Sequence, residues 1–570
     1  MLTRGCYQVV GLLLIIVIAA GCSSTTSPSL PIRAPKDPAA PTAPPSRAAS
    51  STKLSDEDRA EAHAHYALGV VHELNGRTDE ALTEFGLATA KDPENEGLVL
   101  DVSRRVINAR RWDEAAQILS RATATGKMSG EVYARLGMVY AQRGNTLEAA
   151  AANRIAIRKS PNSLAGYHNL FLGFVQQKQP EKALAVLDDA SRQPRPTFEF
   201  LVGLSDLYLT HSVQFPTNKT ATQARALALL QRAEKMGPEN ASLQLKLADG
   251  LNMLGDREAA ARQYLGVLKA LPDVPLLREQ IHAKLADIYL RGGDRNAAVT
   301  QLEAIVKADP QNSQAHFFLG EIAYEGTNYA RAVEHLNHAV MLAPDFEAGY
   351  SSLATAQLGA QKADDALKTL EKARDKFGKS FATEMLSGIA SSMLKDYTNA
   401  VRFFTAAEVI ARATDPRRLN HVFYFQAGAA HERRGDFLQA EIYFKKTLEL
   451  SPDYTPALNY LGYMWAERGE KLDEAKVLIE KALKSDPKNG AYLDSLAWVL
   501  FRQNQPKPAL ELLLQAVDLM DEPDPTLYDH LGDVYSALGE KEKAREAWQK
   551  SISIEPNEKV KQKLGEPAAP

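Results

Sequence analysis

Small and apolar residues recur along this chain with a period of about 34 residues. In one clear frame Gly69 follows Leu68, and Ala81, Phe85 and Pro93 come 12, 16 and 24 residues after the glycine. The same frame returns at Gly137, Gly320 and Gly532. A repeat of this length with helix-forming segments indicates a stack of helical hairpins.

Fourteen such frames can be aligned. Their first small-residue slot is occupied by Gly69, Ser103, Gly137, Phe171, Ser205, Ala248, Ala286, Gly320, Ala354, Gly388, Gly428, Gly462, Ala497 and Gly532, in which Phe171 is the one large residue. An alanine follows in every frame: Ala81, Ala115, Ala149, Ala183, Ala226, Ala260, Ala298, Ala332, Ala366, Ala400, Ala440, Ala475, Ala509 and Ala544.

Each recurring position has a physical reason. The small residue and the alanine fall where two antiparallel helices cross, so the two backbones can approach closely. Seven glycines stand where the first helix must stop, at positions that favour left-handed dihedrals: Gly76, Gly144, Gly255, Gly293, Gly435, Gly469 and Gly539. The pairs Asp92-Pro93, Asp309-Pro310 and Asp486-Pro487 end second helices, because proline disfavours the helical conformation in the residue before it. A single hairpin cannot bury its apolar face, so the frames predict one continuous solenoid.

The pattern resembles the tetratricopeptide repeat. That resemblance implies an all-α solenoid of about fourteen helical hairpins, coiled into a right-handed superhelix. We expect the solenoid over residues 55–557 and a capping helix and tail over 558–570. Three intervals of 43, 38 and 40 residues place insertions at Thr210–Thr222, Asp273–Leu277 and Ala413–Leu419. We expect these insertions to be loops. The favoured consequence is a local change in the pitch of the superhelix, and a binding loop is the alternative.

The N-terminus has the pattern of an export signal. Arg4 precedes an apolar run from Val9 to Ala20, too short to span a membrane. The following Ala19-Ala20-Gly21-Cys22 resembles a bacterial lipobox, which implies cleavage after residue 21 and a lipid on Cys22. An ordinary signal peptide is the alternative. Ser23 favours the outer membrane, facing the periplasm, by the same resemblance. Residues 22–54 contain seven prolines and almost no large apolar side chain, which predicts a disordered tether.

Composition excludes several classes of protein. The formal charge is −4 over 570 residues, which gives no electrostatic reason to expect nucleic-acid binding. The two cysteines, Cys6 and Cys22, lie at the N-terminus, so a disulfide framework and a cysteine-ligated zinc site are excluded from the repeats.

No catalytic motif or unassigned segment of domain size is evident. Ala373 stands where a phosphate-binding loop before Gly378-Lys379-Ser380 needs glycine, and His431-Glu432 lacks the second histidine of a zinc-protease helix. His335 and His338 share a helix face, but without a third ligand we interpret them as surface residues. We therefore predict a non-enzyme without cofactor or metal.

Function must then reside in the surface of the first helices. Positions six and three before the small residue, and one and four after it, form one helical stripe. This inner stripe carries the acids Asp206, Asp249, Asp287 and Glu321 and the aromatics Phe317, Tyr324, Phe425, Tyr463, Trp498 and Phe501, with Asp494, Asp529 and Asp533 near the end. We predict a partner groove along this stripe, in which Tyr463, Trp498 and Phe501 are the apolar anchors and the acids attract a partner segment that carries Lys or Arg. The alternatives are a solvated polar face for the acids and packing between first helices for the aromatics.

The segments from Leu458, Ala491 and Tyr528 resemble bacterial envelope tetratricopeptide lipoproteins. Some of these are outer-membrane adaptors that bring cell-wall hydrolases to a carboxyl-terminal processing protease. The resemblance implies a membrane-anchored scaffold with protein partners. The alternative is a scaffold for exopolysaccharide, pilus or secretion export. A glycosyltransferase with a repeat arm is disfavoured because no transferase domain follows.

Overall fold

The computed structural model describes residues 55–238, 240–270, 274–520 and 522–565. The predicted signal, Cys22, the tether and the last five residues lie outside the described residues. The described residues fall into two compact units, an N-terminal unit that ends at Asp294 and a C-terminal unit that begins at Arg295.

The N-terminal unit contains α1 (Asp56–Leu74), α2 (Thr78–Lys91), α3 (Glu96–Asn108), α4 (Trp112–Ala124), α5 (Gly130–Gln142), α6 (Thr146–Lys159), α7 (Leu164–Gln176), α8 (Pro180–Ser191), α9 (Phe198–Gln214), α10 (Lys219–Met236), α11 (Ala241–Met253), α12 (Arg257–Ala270) and α13 (Pro275–Gly292). A 3-10 turn, Pro216–Asn218, separates α9 from α10.

The C-terminal unit contains α14 (Arg295–Ala308), α15 (Ser313–Glu325), α16 (Tyr329–Leu342), α17 (Glu347–Gly359), α18 (Ala363–Phe377), α19 (Phe381–Met393), α20 (Tyr397–Thr414), α21 (His421–Arg434), α22 (Phe437–Leu450), α23 (Thr455–Arg468), α24 (Leu472–Ser485), α25 (Gly490–Arg502), α26 (Pro506–Leu519), α27 (Pro525–Ala537), α28 (Lys541–Ile554) and α29 (Glu558–Lys563). A 3-10 turn, Pro416–Arg418, separates α20 from α21.

The helices form the expected hairpins. Each odd-numbered helix packs on the even-numbered helix that follows it, from α1–α2 to α11–α12 in the N-terminal unit and from α15–α16 to α27–α28 in the C-terminal unit. The seventh predicted pair is α13 and α14, which belong to different units. No strand occurs in the part of the chain that the structure describes. The all-α solenoid class is confirmed.

The small-residue slot lies at the helix crossing, as predicted. A Cβ added to Gly69 would lie 2.6 Å from the Phe85 ring, and one added to Gly532 would lie 2.4 Å from Trp548. All fourteen alanines are buried, the most exposed being Ala149 at 6 %. Steric exclusion at these crossings therefore sets how closely each pair of helices packs.

A left-handed residue ends the first helix in thirteen of the fourteen frames. It lies seven residues after the small residue and is glycine in the seven predicted cases, with φ between 69° and 91°. In six further frames a residue with a side chain adopts φ between 55° and 61°: Arg110, Lys178, Thr327, Gln361, Lys395 and Asn504. The turn geometry is thus common to the repeats even where glycine is absent.

The structure corrects the interpretation of the first insertion as a loop. In the first insertion α9 continues to Gln214 and α10 begins at Lys219, so most of Thr210–Thr222 is helical. In Ala413–Leu419 the helix α20 ends at Thr414 and the 3-10 turn follows. Side chains support these extensions, since the Thr210 and Thr222 hydroxyls each donate to the carbonyl oxygen four residues before. Residue 273 lies outside the described residues, and α13 begins at Pro275.

Candidate protein-binding surface

The first helices form the closely spaced layer of each unit. Successive first helices contact one another from α3 to α11 in the N-terminal unit and from α15 to α27 in the C-terminal unit. Among successive second helices, within the described residues, α2 and α4 alone make contacts of comparable extent. The stripe on the first helices is therefore an inner face, and the second helices form the outer layer.

The acids predicted on the inner stripe do not form one uniform series. Asp206, Asp249 and Asp287 belong to the N-terminal unit, whereas Glu321 belongs to the C-terminal unit. Asp249 accepts hydrogen bonds from the Tyr264 hydroxyl and from Lys284 Nζ, both at 2.5 Å.

Asp287 is paired with Arg291, whose Nε lies 2.9 Å from both of its carboxylate oxygens. Asp206 is exposed as a whole residue. The surrounding protein still partly desolvates its carboxylate, which raises its pKa, while the charge of Lys246 lowers it. Burial also raises the pKa of Glu321, although a hydrogen bond from Ser352 lowers it. Of the four acids, two are already neutralised by cations of the same chain.

The aromatic residues of α15 are half-buried. Phe317 packs edge-on against Phe346 with ring centroids 4.9 Å apart, and Tyr324 lies 5.6 Å from the Tyr329 ring. Burial raises the pKa of the Tyr324 hydroxyl to about 12. Each ring keeps part of its surface accessible while contacting its own hairpin or the next.

Phe425 is a core residue. Its side chain is 1 % exposed and packs edge-on against Tyr454 and Tyr460, at 5.4 and 5.2 Å between ring centroids. All residues of α21 from Val422 to His431 are buried. A partner has no access to this ring without displacing its neighbours.

The three aromatics near the C-terminus lie together. The Trp498 indole stacks on the His530 ring at 4.0 Å and contacts Phe501 at 5.2 Å. Its Nε1 donates to Glu467 Oε2 at 2.9 Å, and the side chain is 8 % exposed. Tyr463 lies 6.0 Å from the His530 ring. Trp498 is thus mostly packed within the unit, while Tyr463 and Phe501 are half-buried.

The centre of this cluster is a buried ion pair that sequence reasoning missed. His530 Nδ1 lies 2.9 Å from Asp494 Oδ1, and the two side chains are 4 % and 1 % exposed. Burial lowers the pKa of His530, but Asp494, with smaller contributions from Glu467 and Asp529, raises it above its ordinary value. His530 lies off the inner stripe, two residues before Gly532, so the repeat frame carried no signal for it.

The remaining acids of this end are bound by the capping helix. Lys563 of α29 lies 2.7 Å from Asp529 Oδ1 and 2.7 Å from Asp533 Oδ2. This ion-pair network attaches α29 to α27. Asp529 and Asp533 are therefore both paired with a cation of the same unit.

The inner face of the N-terminal unit carries aliphatic residues that sequence reasoning did not single out. Five of them are half-buried at stripe positions: Leu100, Met138, Leu172, Val175 and Leu209. Exposed polar side chains flank them, among them Glu131, His168 and Asp206. Aliphatic residues at helical spacing also fill cores, so only the observed exposure distinguishes these from core positions.

His335 and His338 contact a third histidine from the paired helix. His316 Nδ1 lies 3.1 Å from His335 Nδ1, and its ring stacks on His338 at 4.9 Å. His316 Nε2 lies 3.2 Å from the Pro310 carbonyl oxygen. Among the described residues, no group of three or more His, Cys, Asp and Glu side chains is placed to hold a metal ion. The third histidine was not evident in sequence because it lies 19 residues from His335.

None of the helices in the described ranges has the length and apolar character that crossing a membrane requires.

Family models of the tetratricopeptide repeat match five segments of the chain: residues 48–96, 104–163, 283–345, 422–454 and 525–558. The segment 422–454 corresponds to the hairpin α21–α22, and 525–558 corresponds to α27–α28. The chain contains tetratricopeptide repeats. The repeats account for the helix pairs, their spacing and their close crossings, and this repeat serves in general as a protein-interaction scaffold.

Curated relatives match parts of the chain. The TPR repeat-containing protein PA4667 of Pseudomonas aeruginosa is 32 % identical over 221 residues, which are 38 % of this chain and 36 % of the relative. The type IV pilus assembly protein PilF of the same organism is 28 % identical over 137 residues, 24 % of this chain and 54 % of the relative. The human protein O-mannosyl-transferase TMTC1 is 25 % identical over 174 residues, 30 % of this chain and 19 % of the relative.

Among solved structures, the APC/C hetero-tetramer Cut9–Hcn1 matches with 16 % identity and a TM-score of 0.38, covering 82 % of this chain and 95 % of that one. A tetratricopeptide repeat protein from Parabacteroides merdae matches with 18 % identity and a TM-score of 0.32, covering 50 % of this chain and 97 % of that one.

Proposed function

We propose that this chain is a non-enzymatic adaptor of the bacterial cell envelope, which binds protein partners on the inner face of its first helices. The observation that carries the proposal is the half-buried aliphatic series of the N-terminal unit, from Leu100 to Leu209, flanked by exposed polar groups. Such a surface offers apolar area for burial and a polar rim, as protein interfaces require. Partners are expected to be proteins, with no nucleic acid.

The proposed anchor is a lipid on Cys22, which would hold the repeats at the outer membrane on the periplasmic side. The support is the lipobox-like Ala19-Ala20-Gly21-Cys22 and the proline-rich segment that follows. In the form suggested by sequence resemblance, the adaptor brings cell-wall enzymes to a periplasmic processing protease.

A second candidate function is assembly of a pilus or another export complex. The observation that favours it is the 28 % identity over 137 residues with a relative named for type IV pilus assembly. The identity of the bound partner separates the two candidates, since one predicts a protease and the other an export component.

Site-specific crosslinking tests the inner face directly. A photoreactive residue at His168 or Asp206, both exposed on the inner stripe, is expected to crosslink partners in cells. The control position is Leu147 on the outer helix α6, which is 83 % exposed. Mass spectrometry of the adducts names the partner. Equal crosslinking from His168 and Leu147 would contradict the proposed inner face.

Paired substitutions measure the aliphatic contribution. Leu172→Ser with Leu209→Ser is expected to abolish recovery of the crosslinked partner. The matched control is Leu147→Ser with Met236→Ser, which removes two apolar side chains that are 83 % and 51 % exposed on the second helices α6 and α10. Circular dichroism checks that both variants fold. Normal partner binding by the folded stripe variant would exclude this surface.

The C-terminal aromatics require a different design. Trp498→Ala removes the stack on His530, so loss of binding in that variant would report lost packing. Phe501→Ala leaves the His530–Trp498 stack in place and is the informative change. Reduced partner recovery with an unchanged circular dichroism spectrum would assign Phe501 to the interface, whereas unchanged recovery would leave the interface to the N-terminal unit.

A further inference from the structure

The outer layer of the N-terminal unit contains an arginine-lined cleft. It lies between the second helices α8 and α10, and Tyr208 of α9 contributes to its wall. The cleft has a volume of about 340 Å³ and is open to solvent. Arg192, Arg225 and Arg232 line it, together with the carboxylate of Asp188. Three guanidinium groups therefore face a single carboxylate there.

Internal hydrogen bonds hold one side of the cleft. The Tyr208 hydroxyl, on a side chain that is 1 % exposed, donates to Asp188 Oδ1 at 2.7 Å. Arg225 Nη1 lies 2.9 and 3.0 Å from the two Asp188 oxygens. Because a guanidinium has five N–H donors on three nitrogens, the Nε and Nη2 groups of Arg225 remain available. Asp188 thus orients Arg225 without using all of its donors.

The other two arginines differ: Arg232 carries surplus charge, and Arg192 belongs to an exposed ion pair. Arg232 Nη1 donates to the Ser191 carbonyl oxygen at 3.2 Å, and within the described residues no carboxylate lies within 4.0 Å of its guanidinium. Arg192 Nη1 lies 3.1 Å from Asp189 Oδ1, but the two side chains are 73 % and 69 % exposed. An exposed pair of this kind contributes little energy and exchanges readily for another carboxylate.

A second cleft, at α20–α22, differs in charge. It is lined by Arg412 and Lys446, with Glu449 and the apolar side chains of Leu419 and Leu450. Arg412 is held there by Glu408 at 2.6 Å. The two cations of this cleft are balanced in number by Glu408 and Glu449, whereas the α8–α10 cleft retains a net positive charge.

We propose that the α8–α10 cleft binds an acidic segment of a protein partner through Arg192, Arg225 and Arg232. Arg225 and Arg232 lie seven residues apart on α10, about 10 Å along the helix axis. Carboxylates two residues apart on an extended segment repeat every 7 Å or so, a spacing that flexible arginine side chains can bridge. Planar guanidinium groups bind carboxylates in a bidentate manner, which favours Asp and Glu side chains as ligands.

This binding site lies on the outer layer and does not depend on the inner-face interaction proposed above. Failure of one leaves the other intact, because the variants that test them change different helices and different side chains.

The test measures binding of a fluorescein-labelled octapeptide of alternating Glu and Ser by fluorescence anisotropy. Arg192→Gln with Arg232→Gln is expected to weaken binding about tenfold or more, because it removes the guanidinium donors of two charge-assisted hydrogen bonds. The matched control is Arg154→Gln with Arg158→Gln on α6, two exposed arginines of the same unit. It removes the same charge and is expected to change affinity less than twofold. A Gln–Ser octapeptide is expected not to bind.

Each further outcome has a defined meaning. Arg192→Lys with Arg232→Lys keeps the charge but loses the planar fork, so an intermediate affinity supports bidentate recognition. Equal weakening by the cleft variant and the α6 control would show non-specific attraction and overturn the proposal. Binding of inorganic phosphate without binding of the acidic peptide would make the cleft a small-anion site, and that result also overturns it.

Discussion

His530 and Asp494 form a buried ion pair between α27 and α25, with His530 Nδ1 2.9 Å from Asp494 Oδ1. The Trp498 indole covers the imidazole at 4.0 Å. The pair joins two successive hairpins through side chains that are 36 residues apart in sequence. It therefore couples the stability of the C-terminal hairpins to the protonation of His530.

The stability of the C-terminal hairpins is expected to depend on pH through His530. Burial lowers the pKa of His530, but Asp494, Glu467 and Asp529 raise it above the ordinary value of 6.5. The folded state thus binds the proton more tightly than the unfolded state. The stabilisation from His530 is fully present below about pH 6.5 and is lost as the pH rises through the folded-state pKa. Urea denaturation of the wild type and His530→Gln is expected to show a difference in unfolding free energy that shrinks from pH 5.5 to 8.5. A difference that grows with pH would contradict this sign.

The contact among His316, His335 and His338 is expected to change stability with pH in the opposite direction. Burial lowers the pKa of His335, and the neighbouring His316, Arg331 and His338 lower it further against Glu334. Burial likewise lowers the pKa of His316. The stabilisation is present above the ordinary value of 6.5 and is lost as the pH falls through the folded-state pKa values. His335→Gln is therefore expected to reduce the loss of thermal stability between pH 7.5 and 5, measured by circular dichroism. An unchanged pH profile would mean that these histidines do not control it.

Replacing the left-handed threonine with glycine is expected to stabilise the fold. Thr327 has φ 59°, a conformation that costs residues with side chains roughly 1–2 kcal/mol. Glycine avoids that cost but loses about 0.5–1 kcal/mol more in backbone entropy on folding. Thr327→Gly should therefore raise the free energy of unfolding by about 0.5–1 kcal/mol in urea denaturation. The control is Glu334→Gly in α16, expected to destabilise by about 1 kcal/mol. Destabilisation by both would argue against strain at Thr327.

A larger side chain at a helix crossing is expected to destabilise one hairpin. Ala332 is 0 % exposed, so Ala332→Leu should cost about 1–3 kcal/mol by overpacking. Because repeats couple chiefly to their neighbours, hydrogen exchange should accelerate most in α15–α17. Ala348→Leu, at an exposed position of α17, is the control and is expected to have little effect. Uniform loss of protection along the chain would contradict local coupling.

The lipid anchor is tested by fractionation. Cys22→Ser is expected to move the protein from the membrane pellet to the soluble fraction, because acyl chains contribute about 0.8 kcal/mol per buried methylene. Cys6→Ser, within the expected signal, is the matched control and should leave the protein in the pellet. If Cys22→Ser remains in the pellet, lipidation of Cys22 is not the anchor.

Much of the fold could be predicted because its determinants are local or recur at fixed spacing. Gly69 and Phe85 lie 16 residues apart in one hairpin, and the close contact between them follows from the repeat frame. The turn at Gly76 follows from a glycine seven residues after Gly69. The conformation of the insertion at Thr210–Thr222 could not be predicted in the same way, because its polar residues are compatible with both a loop and the helical extensions observed.

The candidate site depended on contacts that no repeat frame specifies. Phe425 and Phe501 both occupy stripe positions, yet Phe425 is 1 % exposed among Tyr454 and Tyr460, while Phe501 is half-buried. Asp249 is neutralised by Lys284, which lies 35 residues further along the chain.

The sequence by itself determined the helical hairpins of each unit and the positions of their crossings and turns. Those features need small volume or left-handed dihedrals at defined positions of each repeat, and glycine or alanine at such positions is readable directly. The tertiary structure alone decided which stripe residues are buried, which acids are paired and where His530 meets Asp494. Burial and ion pairing depend on the side chains that adjacent hairpins bring within a few ångströms, and a pattern shared by all repeats does not contain that information.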